Sequence, residues 1–278
     1  MVRRRTRGTA RDPITRSWRT ILWAAAVVVA GAPLAAQERD PRAAQPERPT
    51  VATHAGTVAT GFLEFEGGVE FDRLDDAHTT LGTLVTKIGV TSHLQFSIFA
   101  SLVAPAGSDA GIGDLAAGFK WRLLDGHTLL GDFAILPTVK FATGSVARGS
   151  GTGTTDASLL FISSRDIGPL HIDLNAGYTR RSGDGTVAPR SATVWTASFG
   201  GAIAGPANWT AEFFGYPGTD GPSGAAPIVA FLVGPTFNVR NSLVVDVGII
   251  VPVAGAQPWA AYAGIVYNVG RIWGSSAP

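Results

Sequence analysis

The residues that could do chemistry are charged side chains falling on one phase of short alternating segments: Glu64, Glu66, Glu70, Asp114, Asp132, Asp156, Asp173, Glu212 and Asp246, against Lys87, Lys120, Arg122 and Lys140. If the opposite, apolar phase meets lipid, these groups must face a lumen, because an Arg or Lys on a barrel exterior costs about 2 to 4 kcal/mol at the bilayer midplane. Two outcomes fit such a lining. It is a polar conduit biased towards cations and neutral solutes, with Asp173, Glu212 and Asp246 forming an acidic wall, or it is a set of mutually neutralising ion pairs that fills a closed barrel. Catalysis has little support. The histidines at 54, 78, 93, 127 and 171 are dispersed, and neither a zinc-protease motif nor a G-x-S-x-G elbow is present. His171 shares its phase with Asp173 and Asn175, which reads as polar lining in the absence of a positioned proton-transfer partner.

Ligand sites are equally sparse. The chain has no cysteine, which removes thiolate chemistry, Cys-ligated metals and disulfides. The string Gly149-Ser150-Gly151-Thr152-Gly153 lacks the Lys-Ser/Thr of a phosphate loop and opens no helix. Asp72, Asp75, Asp76 and His78 offer hard ligands at a spacing unlike a calcium loop, so a solvated acidic loop is expected. No metal and no cofactor is expected.

The elements that must position the charged phase are strands. Twelve amphipathic segments span 62–71, 79–91, 93–103, 113–123, 127–141, 154–164, 168–179, 191–203, 208–216, 226–238, 242–252 and 258–270. The connections after even-numbered segments are short, and those at 72–78, 104–112, 142–153, 180–190 and 217–225 are longer. Short turns alternating with long loops, an even strand number and both termini on the short-turn side describe an all-β, single-chain transmembrane antiparallel β-barrel with periplasmic termini. Period two is plain at Leu94, Phe96, Ile98, Ala100 and Leu102 against Gln95, Ser97 and Ser101. The tryptophans distinguish this from a soluble sandwich. Trp121, Trp209 and Trp273 fall at one rim and Trp195 and Trp259 at the other, joined by Phe71, Phe141, Tyr178 and Phe237, as two interfacial belts require. Pro137 and Pro235 interrupt strands, and bulges are expected there.

The ends complete the organisation. Seven arginines precede an apolar run ending at Leu34-Ala35-Ala36, so residues 1–36 read as a cleaved signal peptide. Residues 37–60, with Pro41, Pro46 and Pro49, show no period and are expected to be a disordered periplasmic linker; the barrel covers 61–273 and a tail 274–278. The first 36 residues hold seven of 22 basic and one of 21 acidic residues, so the remainder carries 15 against 20, a net charge of −5. Nucleic-acid binding therefore loses its electrostatic support. A mean hydropathy of +0.20 without a 20-residue apolar run also favours strands over spanning helices.

Three stretches, GIGDLAAGFKWRLL (111–124), LPTVKFATG (136–144) followed by GTGTTD (151–156), and IDLNAGY (172–178), resemble the outer-membrane transporter family named for the MetA pathway of phenol degradation. The resemblance implies a channel for small solutes, aromatic or apolar compounds among them. The last strand, with Gly264, Tyr267 and Val269, resembles the signal read by the barrel-assembly machinery. Expected partners are thus outer-membrane lipid, a small-molecule solute and that machinery. The alternatives are a lipid-active barrel enzyme, which needs a serine and histidine on the lipid face, and a closed structural barrel with binding loops.

Overall fold

The computed structural model describes residues 40–274. Twelve long strands follow one another: β1 (Phe62–Leu74), β2 (Ala77–Thr91), β3 (Leu94–Ala104), β4 (Leu115–His127), β5 (Gly131–Phe141), β6 (Asp156–Ile167), β7 (Leu170–Arg181), β8 (Ser191–Ala204), β9 (Ala207–Tyr216), β10 (Ile228–Arg240), β11 (Leu243–Ala254) and β12 (Trp259–Arg271). Gly111–Ile112 adds a two-residue rung on β3 ahead of β4. Each strand pairs antiparallel with its sequence neighbours, and β1 pairs with β12 from Phe62↔Arg271 to Arg73↔Trp259, which closes the sheet. The result is an all-β closed barrel, with no sheet edge left to pair. Gly61 seals the seam through its carbonyl, which accepts the N–H of Ile272 at 2.7 Å.

Alternation explains the two surfaces. Gln95 and Ser97 on β3 are buried, whereas Ile98 and Leu102 on the opposite phase are exposed. The same split around the barrel leaves Phe65, Leu84, Phe119, Phe161, Leu174, Phe213, Ile249 and Ile265 exposed on the outside. A continuous apolar surface of this extent is built for a non-aqueous neighbour. Trp121, Trp195, Trp259 and Trp273 are exposed on it, and Trp209 is half-buried.

Three expectations need correction. Residues 40–60 are not a disordered linker: they run inside the barrel, where wall side chains satisfy a backbone whose one bridge to a strand is Thr60↔Gly89. The connection at 72–78 is not a long loop, because β1 and β2 extend to Leu74↔Ala77 and turn on Asp75 and Asp76, with Asp75 left-handed at φ 53°. Pro137 and Pro235 cause no bulge. On one side Pro137 stays paired with Leu159 and Pro235 with Trp209; on the other the ladder skips rungs between Gly118↔Thr138 and Trp121↔Ile135, and between Val233↔Ile249 and Thr236↔Asp246, without changing register. A missing N–H deletes bonds but adds no residue, so register survives. The signal peptide at 1–36 and most of the tail lie outside the described residues.

Candidate functional site: a lumen occupied by residues 40–60

The segment enters at the short-turn end, where Asp40 Oδ2 accepts from Asn241 Nδ2 at 2.5 Å and Ala44 N donates to the Asn241 carbonyl at 2.9 Å. It returns to that end through Thr57, whose hydroxyl donates to the Ser92 carbonyl at 3.0 Å, and leads into β1. Between these points its backbone is pinned by wall side chains. Glu64 accepts from Gln45 N at 2.8 Å, Glu66 from Glu47 N at 2.7 Å, and Glu212 from both Val51 N at 2.8 Å and Ala52 N at 2.7 Å. Asn175, Ser164 and Gln95 accept from Thr53 N, Ala55 N and Val58 N at 2.8, 2.7 and 2.9 Å. In return Lys87 donates to the Gln45 carbonyl at 2.6 Å and Lys120 to the His54 carbonyl at 3.0 Å. Each such bond adds only about 0.5 to 1.5 kcal/mol net, yet a buried N–H left unpaired costs about 1 to 3 kcal/mol. Strand carboxylates and plug amides therefore need one another.

Charge pairing adds to these bonds. Lys87 is wholly buried and lies 2.7 Å from Glu64, with Glu66 in a tighter contact, and Lys120 pairs with Glu47 of the plug. Arg48 reaches β11, 3.6 Å from Asp246. Apolar contact adds Ala55, which packs among Ala134, Leu136 and Ile162.

The lining residues expected from sequence thus divide. Glu64, Glu66, Lys87, Lys120, Glu212 and Asp246 all meet the plug, and Asp173 supports it indirectly by accepting from Ser164 Oγ at 2.5 Å. None of these forms an open acidic wall: Glu212 is 0% and Asp246 2% exposed. The others sit at the rims. Asp132 accepts from Gly126 N at 2.8 Å within a turn, and Arg122 pairs with Asp125 at 2.8 Å. Lys140 and Asp114 pair at 2.6 Å to fix the loop after β5, and His171 bridges Asp166 at 2.6 Å and Asp173 at 3.1 Å. One grouping that the sequence did not assemble is Ser92 Oγ, His93 and Asp125, linked at 2.8 Å and 2.8 Å. With His93 45% and Asp125 58% exposed, it is a water-bathed turn network without the sheltered base that a nucleophile requires.

Two of the spaces that border the plug meet at Arg48 and Thr50. One, of about 440 Å³, lies between Thr50–Thr53 and the wall of β1 to β6; Val85, Phe99, Leu136 and Leu160 give it apolar surface, and Thr83, Thr138 and Ser158 hydroxyls. The other, of about 260 Å³, lies between Pro49, Thr50 and His54 and the wall of β7 to β10, with Asp173, His171, Ser198 and Thr210. Sequence reasoning missed the plug and the apolar lining. The signal for both was present, since Val85, Phe99, Leu136, Leu160 and Ile162 occupy the lumen phase, where water alone would select polar residues.

A closed twelve-stranded barrel with an apolar exterior, tryptophans on that exterior and an interior filled by charged, polar and apolar side chains defines the outer-membrane barrel fold. No family model matches the chain, and no curated protein matches it. Among solved structures, the COG4313 outer membrane channel from Pseudomonas putida F1 is similar at a TM-score of 0.63 and 12% identity, covering 79% of this chain and 100% of that one. The KdgM porin, solved in complex with disordered oligogalacturonate, gives 0.48 and 11% over 73% and 98%, and the NanC porin 0.48 and 11% over 74% and 98%. The first of these likenesses establishes the fold.

Proposed function

We propose that this chain is a bacterial outer-membrane channel for small solutes, held closed by residues 40–60. The observation that carries the reading is the chamber of about 440 Å³ left between plug and wall, in which four apolar side chains alternate with hydroxyls. Such a lining suits compact solutes with an apolar body and one or two hydrogen-bonding groups, in keeping with the resemblance to transporters of aromatic or apolar compounds. The plug acts as a gate in this reading because the barrel ladder closes without it, so residues 40–60 can exchange their side-chain bonds and ion pairs for water and leave the wall intact. The apolar belt faces lipid, the termini lie in the periplasm, the signal peptide is removed before Gln37, and the barrel-assembly machinery inserts the chain. An enzymatic role gains no support from the exposed Ser92 network.

The absence of cysteine makes the test direct. Cysteines replacing Ala55 and Ser164, neighbours through the 2.7 Å bond from Ala55 N to Ser164 Oγ, would tether plug to wall when oxidised directly or through a short bis-methanethiosulfonate linker, either of which reduction cleaves. In planar bilayers the oxidised double variant should stay closed and reduction should restore solute-sensitive current. Equal current in both states would show that residues 40–60 do not gate. No current from any folded form would favour the closed structural barrel.

A further inference from the structure

Arg48 rests in a slot that the wall has shaped for it. On β1 and β12, Gly68 and Gly264 face each other in the ladder. A β-carbon on Gly68 would stand 2.2 Å from Arg48 Cζ, and one on Gly264 would stand 2.2 Å from Arg48 Nε. Only two glycines side by side leave a floor flat enough for a guanidinium plane. At one edge Thr83 Oγ1 accepts from Nη1 at 3.2 Å, and at the other Asp246 stands 3.6 Å from Nη2, an ion pair without a hydrogen bond.

The slot is built but incompletely satisfied. Asp246 is 2% exposed, yet neither carboxylate oxygen has a hydrogen-bond partner, and Arg48 Nε is also unpartnered. The Tyr262 hydroxyl, over Gly248 two residues along β11 from Asp246, is buried without a partner as well. Buried carboxylates are ordinarily hydrogen-bonded, because desolvating the charge is otherwise uncompensated. Arg48 reaches the slot from a backbone anchored elsewhere, and so cannot settle fully against Asp246. A free planar cation could do so, presenting parallel N–H donors to both oxygens while keeping its face on the glycines.

We propose that the Gly68–Gly264 slot is a recognition subsite for a planar cationic group, a guanidinium or amidinium carried by a solute, and that Arg48 fills it while the plug is in place. This rests on the reading of residues 40–60 as a displaceable gate. A solute bearing such a group competes with Arg48 for Asp246 and loosens the plug as it binds. The subsite thereby adds a cationic class to the apolar and hydroxyl-bearing solutes that suit the larger chamber.

Radiolabelled guanidinium, in equilibrium dialysis against the folded full-length barrel in detergent, tests this without requiring conduction. Arg48→Ala should bind one guanidinium per barrel, and the unsubstituted protein should bind it about tenfold more weakly because Arg48 competes. Adding Asp246→Asn or Gly264→Ala to Arg48→Ala should abolish binding, with Gly68→Ala as the substitute should Gly264→Ala fail to form the heat-modifiable barrel. Urea, planar but neutral, and tetramethylammonium, charged but not planar, should not compete. Equal guanidinium binding by Arg48→Ala with and without Asp246→Asn, or none by Arg48→Ala, would overturn the subsite. Guanidinium should also lower the current through Arg48→Ala in bilayers. Binding without that change would leave the subsite standing and remove the slot from the conducting path.

Discussion

Glu212 is fully buried on β9 and uses both carboxylate oxygens on the N–H groups of Val51 and Ala52, 161 and 160 residues away in the chain. Period two put this residue on the lumen phase from sequence alone. Its partner was not legible, because hydrogen bonds to a backbone leave no complementary side chain to find. The same holds for Glu64, Glu66, Asn175 and Gln95, whose partners are amides of residues 45 to 58. Truncating Glu212 to alanine strands two donors at about 1 to 3 kcal/mol each if the segment stays in place. The plug should instead open locally. Hydrogen exchange at Val51 and Ala52 is expected to accelerate at least about tenfold in Glu212→Ala, with β1 and β12 amides unchanged. Equal acceleration throughout the strands would mean that Glu212 supports the barrel rather than the plug.

Elements were legible in proportion to their internal pattern. Strands carry their period wherever an exposed apolar face backs a buried polar one, so all twelve were found, with ends shifted by a few residues. The turn between β1 and β2 was misjudged because Asp72 and Arg73, polar enough to read as loop, pair as strand with Thr79 and His78. Residues 40–60 have no period because each contact is set by the wall. Asp114 shows the same dependence at the long-loop rim. Burial pushes its carboxyl up, but the Lys140 ammonium and the N–H groups of Thr152 and Gly144 outweigh that and bring it down to about 2. A carboxyl lowered on folding holds its loop fully above the ordinary aspartate value of about 4 and releases it as pH falls towards 2. Exchange at Gly144 and Thr152, corrected for intrinsic rate, should therefore rise between pH 4 and pH 2. Asp114→Asn should show the raised level already at pH 5. A flat profile matched by the variant would mean that Lys140 and Asp156, 3.4 Å apart, hold the loop unaided.

For the whole molecule, strand number sets the problem that the plug solves. Eight strands enclose a space that wall side chains fill and 16 to 18 leave an aqueous pore, so twelve enclose a lumen between those limits, wider than wall side chains alone fill. Part of that gap is closed by wall residues alone, where Phe214, Leu232, Ile250 and Tyr262 pack together, and part by the folded-in segment, which leaves the chambers between. The ends of the barrel differ accordingly. Turns such as Gly205-Pro206 are minimal at the end where residues 40–60 enter, whereas the loops after β5, β7 and β9 rise from the other. Insertion with the short turns in the periplasm places Thr186 outside the cell and Gly126 inside the envelope. Because the native chain has no cysteine, single substitutions report on this cleanly. A membrane-impermeant maleimide should label Thr186→Cys on intact cells, and Gly126→Cys only after the outer membrane is permeabilised. The opposite pattern would invert the barrel, put the plug's entry at the cell surface, and make residues 40–60 a gate worked from outside.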